Sequence, residues 1–169
     1  SYPYGIMRHG VIIMNGKVGF LFMSNATIYQ KVIHYIANNN IDYEKWDKCI
    51  IESVNSTFYA KSWYLDLVCE QWDALVLNDF EAVMPLPKRK KWGMKYIYQP
   101  FMCQQLGLFH MYERYCVDEF ILAIPKGILH FNFNLNTHNS STISVLKSNV
   151  NYLLSLDKDI EELRANYSK

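Results

Sequence analysis

Between Pro85 and Gly107 the sequence reads PLPKRKKWGMKYIYQPFMCQQLG, and it offers two kinds of chemistry. Lys88, Arg89, Lys90 and Lys91 could pair with phosphates while Tyr96 and Tyr98 stack on bases, the way single-stranded nucleic acid is gripped. Gln104 and Gln105 stand ahead of Gly107 after an apolar run, as in a hairpin that leads into a cofactor loop. His110, just beyond, could act as a general base, or cap or pack at the start of a helix. The net charge is only +1, so no broad basic footprint supports the nucleic-acid reading. The four basic residues read better as a hairpin tip whose charges stay solvated. The strand pattern and the glutamines favour the cofactor loop.

Other reactive residues are sparse. Cys49, Cys69, Cys103 and Cys116 form no C-x-x-C pair and have no histidine at zinc spacing, so no metal site is expected. Three of the four fall in apolar periodic segments, where a free buried thiol and a reducing, cytoplasmic setting are expected. Glu113, Asp118 and Glu119 share one expected helix, with Glu113 and Arg114 reading as surface charges. His130 and His138 have no visible partner. The sequence has no Walker loop and no nucleophile elbow.

Around these residues, 169 positions, half of them hydrophobic and 20% charged, suit one domain with a real core rather than a disordered chain. No run reaches the ~18 apolar residues of a bilayer span. Residues 1–26 read as an uncertain extension, of upstream or vector origin, with a stray hairpin (VIIM, NGK, VGFLF). Residues 27–169 form the functional unit.

The elements that would position the chemistry alternate in period. IYQKVIHYIA is a strand, and Asp42 caps a helix over YEKWDKCIIES with Trp46, Cys49 and Ile50 on one face. NSTFYAKSWYLDLVCE is a second helix, capped by Asn55 or Ser56, with Trp63 and Leu67, and Tyr59 and Leu65, recurring at helical spacing. Its rings could line an acyl pocket, although a core stripe explains the spacing as well. WDALVLND and FEAVMPLP are strands joined at Asn78-Asp79, KRKKWGM is a turn, and KYIYQPFMC is a third meander strand. MYERYCVDEFILAIP is a helix ended by Pro125, and GILHFNFNLN a half-buried strand. A strand over VLKSNVNYLLSLD and a helix over KDIEELRANYSK close the chain. The expected class is α/β (α+β): a mixed, largely antiparallel sheet flanked by helices.

This order resembles the Gcn5-related N-acetyltransferase (GNAT) fold. In that family Q/R-x-x-G-x-G/A follows the fourth strand, and its amides and the helix start behind them cradle the pyrophosphate of acetyl-CoA. Gln104 to Phe109 fall at that place. Gln104 and Gly107 match, while Phe109 replaces the small residue, and a side chain of that size crowds a phosphate. VNYLLSLDKDIEELRANYSK is similar to a stretch of Fem-type peptidoglycan aminoacyltransferases. Tyr29–Lys169, most specifically MPLPKRKKWGMKYIYQPFMCQQLGLF, resembles the N-terminal half of double-GNAT proteins of the Bacteroidetes type.

The resemblance implies an acyltransferase lobe moving an acyl or aminoacyl group to an amine. It is expected to be truncated and incomplete without a second GNAT-like lobe or a homodimer partner. The implied donor is acetyl-CoA or another acyl-CoA, with aminoacyl-tRNA as the Fem-type variant. Gln104, Gln105, Leu106, Gly107, Leu108 and Phe109 would hold the donor's phosphates, backbone donors near Tyr98–Pro100 would polarise the thioester, and His110 is the candidate for a base. The alternatives are a non-catalytic binding or dimerisation module whose cofactor loop has decayed, or an RNA-contacting module.

Overall fold

In a computed structural model the chain is described over residues 9–14, 17–24, 27–112, 115–132, 134–143, 159–161 and 164, with 9–30 as backbone alone. The strands are β1 (His9–Met14), β2 (Lys17–Ser24), β3 (Thr27–Ile36), β4 (Trp72–Leu77), β5 (Ala82–Lys91), β6 (Met94–Tyr98), β7 (Phe109–His110) and β8 (Ile128–Asn132). The α-helices are α1 (Tyr43–Glu52), α2 (Ser62–Val68) and α3 (Val117–Leu122). The strands form one sheet in the order β1-β2-β3-β4-β5-β6-β8, with β7 also on β5. Every pairing between these strands is antiparallel except β6 with β8. The expected class, a largely antiparallel mixed sheet flanked by helices, is what the chain forms. The hairpin read at the N-terminus is β1–β2, and β2 extends the sheet through β3, with Val18 opposite Ile33.

Alternation along β4 and β5 sends side chains to two cores. Ala74, Val76 and Val83 meet Trp46, Ile50 and Leu65 of α1 and α2 on one face. Leu75, Leu77, Met84 and Leu86 meet Val117, Phe120 and Ile121 of α3 on the other. Both faces of these strands are therefore buried, which explains why WDALVL and AVMPLP lack polar alternation.

Helix α1 follows expectation: Asp42 accepts from the Lys45 amide at 3.1 Å, and Trp46, Cys49 and Ile50 are buried. The second helix does not run over 55–70. The segment splits into a 3-10 turn at Phe58–Ala60 and α2, and Asp47 accepts from the Ser62 amide (2.8 Å) and hydroxyl (2.7 Å) at its start. Asn55 is no cap but a buried bridge to Leu108 O (2.8 Å). Of the two pairs at helical spacing, Trp63 and Leu67 face solvent, while Leu65 is buried and Tyr59 packs against the core. Helical spacing gives the period of a helix but not which of two apolar stripes is inward.

Lys88 to Lys91 belong to β5 rather than to a turn, which is confined to Trp92 and Gly93. The strand read through Cys103 ends at Tyr98. After a ten-residue excursion over 99–108, the chain returns to β5 as β7, placing His110 opposite Ala82 and Phe109 opposite Val83. The helix expected over 111–125 contracts to the six residues of α3. Glu113 and Arg114, and the strand expected over 145–157, lie outside the described residues.

Candidate functional site

The excursion over 99–108 carries the glutamine–glycine sequence, and side chains from elsewhere shape it. Gln99 Nε2 donates to Cys103 O at 2.5 Å, and Gln99 Oε1 accepts from the Asn134 amide at 2.8 Å. The Cys103 amide donates to Pro100 O at 3.0 Å. Tyr64 of α2 donates its hydroxyl to Met102 O at 2.7 Å.

Beyond this turn the chain is stitched to residues 134–139. The Leu106 amide donates to Asn134 O and Leu106 O accepts from the Asn136 amide, both at 2.8 Å. The Leu108 amide donates to Asn139 Oδ1 at 2.7 Å. Leu108 O accepts from the side-chain amides of Asn55, Asn136 and Asn139 at 2.8, 3.2 and 3.1 Å. The amides of Gln104, Gln105 and Gly107 make no hydrogen bond among the described residues.

Each expected site residue therefore has a definite place. Gln104 is exposed and Gln105 half-buried. Leu106, Leu108 and Phe109 are buried core residues, Leu106 and Phe109 on the α1–α2 side and Leu108 on the α3 side. Phe109 fills that core, so its ring does not crowd the loop's surface. His110 is 4% exposed, its ring 6.1 Å from that of Tyr115. The loop does not run directly into a helix: β7 and Met111–Tyr112 intervene before α3 begins at Val117. Tyr98 pairs with Asn132 in the parallel ladder, and Pro100 carries no N–H to offer.

A second polar assembly was not foreseen. A cleft of about 560 Å³ opens beside the start of β4, lined among others by Asn38, Tyr43, Asp66, Glu70, Asp73 and Lys88. Asp73 is 1% exposed; its Oδ2 accepts from the Tyr35 hydroxyl and the Lys88 ammonium, and its Oδ1 from the Asn38 amide at 3.1 Å. Burial, and then the Asp73 carboxylate, push the Tyr35 phenol far above its usual range. Tyr35 is thus held as a neutral donor. At the rim, Asp66 Oδ1 accepts from Trp72 Nε1 (2.7 Å) and the Tyr43 hydroxyl (3.1 Å).

Lys88 therefore departs from the solvated hairpin tip. Arg89 stays exposed, while its guanidinium pairs with Glu70 at 3.2 Å and lies 4.2 Å from the Tyr98 ring centre. The signal for the cluster was present in WDALVL, since a carboxylate inside a fully buried strand requires a cationic or donor partner. Among the described residues no three His, Cys, Asp or Glu side chains gather as a metal site. No helix there is long and apolar enough to cross a membrane. Comparison with known proteins found no match among protein families, curated proteins or solved structures.

Proposed function

We propose that the chain is a GNAT-like lobe of an acyltransferase-type protein, serving transfer of an acyl or aminoacyl group to an amine. The observation carrying this reading is the order of elements from Thr27 onward: a strand, two helices, three antiparallel strands, a glycine loop, the short β7, then α3 and a strand parallel to β6.

The donor class is an acyl-CoA, and the amides of the exposed Gln104 and half-buried Gln105 are the groups left to meet its phosphates. Backbone N–H groups serve an anion only when nothing inside the fold has claimed them. The cleft near Asp73 is assigned to the amine acceptor: Asp73 pairs with Lys88 and Glu70 with Arg89, which leaves the Asp66 carboxylate without a cationic partner among the described residues. A second lobe or a second copy would complete the site.

Titration calorimetry with acetyl-CoA and with CoA tests the proposal. Saturable binding is expected, weakened when the amide-bearing segment is altered by Gln105→Pro, which deletes one N–H at a half-buried position. Phe109→Gly is unsuited to this purpose, because emptying a fully buried Phe site costs about 3–5 kcal/mol. No binding at millimolar ligand would sink the donor-holding role. The second reading, a non-catalytic binding or dimerisation module, would then stand. It is favoured by one observation: Leu106 and Leu108 amides are consumed within the fold.

A further inference from the structure

We propose that the tip of the β5–β6 hairpin is a docking element for an anionic lipid surface. The proposal is independent of the acyl-transfer reading. It begins from a division within the basic run. Lys88 pairs with the buried Asp73, and Arg89 pairs with Glu70 at the surface. Lys90, Lys91 and Lys95 are exposed and form no ion pair among the described residues. Lys90 faces Lys95 across the hairpin, and Lys91 faces Met94, so three uncompensated ammonium groups gather at its end.

Between them stands the most exposed tryptophan of the described chain. Trp92 is 85% exposed and Met94 47%, and neither belongs to a core. Both central residues of the turn have positive φ, 50° at Trp92 and 82° at Gly93. Such two-residue turns favour Asn-Gly, and a bulky residue at positive φ is strained. Neither core packing nor turn geometry therefore accounts for tryptophan here. An indole partitions into the interfacial layer of a bilayer, and lysines beside it are drawn to anionic headgroups. With a net charge of only +1, that attraction is local to the hairpin.

Single-stranded nucleic acid shares the charge complementarity but needs free ring faces. Tyr96 and Tyr98 meet edge to face at 6.3 Å, and Arg89 covers the Tyr98 ring. The ring presented to solvent is a single projecting one, at the tip, where Lys91 Nζ lies 4.8 Å from its centre. A wedge with a cationic collar fits a bilayer surface better than a path of stacked bases.

The test is flotation and tryptophan emission with vesicles of phosphatidylcholine alone and of phosphatidylcholine with phosphatidylserine. Association with the phosphatidylserine vesicles alone is expected, with a blue-shifted emission that falls as salt is added. Lys90→Ala or Lys91→Ala should each weaken association about fivefold, the effect of one basic residue near an anionic surface. Trp92→Ala should abolish the blue shift, whereas Trp63→Phe, at the other exposed tryptophan, should retain it. These substitutions lie on exposed positions, so folding is not at stake. No association with either vesicle, equal association with both, or a blue shift that survives Trp92→Ala would overturn the proposal. Binding of single-stranded RNA without vesicle association would overturn it in favour of nucleic acid.

Discussion

At Gly107 one hydrogen atom in place of a methyl group decides the course of the loop. The residue has φ +105°, and a Cβ added there would lie 2.3 Å from Asn139 Oδ1 and 3.1 Å from Leu135 Cδ2. That same Asn139 oxygen accepts from the Leu108 amide. Gly107→Ala should therefore strain the backbone and break this bond together, lowering stability by about 2–4 kcal/mol in urea denaturation. A cost under about 0.5 kcal/mol, the scale of an ordinary surface change, would show that the Asn139 clasp does not hold the loop. The thiols give a second prediction. Burial pushes Cys49 and Cys69 up to about 12 and Cys103 up to about 11, while Cys116 is exposed. A thiol reagent should modify Cys116 rapidly in the native protein and the other three only on unfolding. Their folded-state values lie above the ordinary 9.0, so the stabilisation is full below pH 9. It should fall as pH rises toward about 12, because the unfolded chain then loses protons first.

At the scale of elements, β5 explains what could and could not be read from the sequence. Two prolines in one strand argue against a central position, yet β5 pairs with β4 along Ala82–Pro87. The Lys88 amide donates toward β4, to Gln71 O at 2.9 Å. By alternation, positions 85 and 87 then point the other way, into the interval where the chain on that side leaves at 99 and returns at 109. Proline sits where no partner waits for an N–H. The strands and α1 were legible because period and capping are local properties. The start of α2 and the role of Asn55 were not, because each is fixed by a distant contact, with Asp47 or with Leu108. The candidate loop was legible as a loop, but its neighbours Asn134, Asn136 and Asn139 lie about thirty residues away and gave no pattern. The Asp73 cluster draws on β3, β4 and β5 together, and only the lone carboxylate in WDALVL announced it.

For the whole molecule, the two cores flank one sheet, and the excursion over 99–108 is set into that sheet at a single strand position. Its tip, Phe101 and Met102, is exposed, and the returning β7 is fixed independently by Ala82 and Val83. The ladder on either side therefore does not depend on how many residues lie between the two fixed ends. A few Gly and Ser residues inserted between Phe101 and Met102 should cost about 1 kcal/mol or less, since loop entropy grows only slowly with length. Thermal melting of such a variant checks this, and a collapse of the transition would mean that the tip itself is structural. For protein engineering, this sheet carries a built-in cassette: a place where a tag, a reporter or a foreign recognition loop can be spliced without redesigning the scaffold.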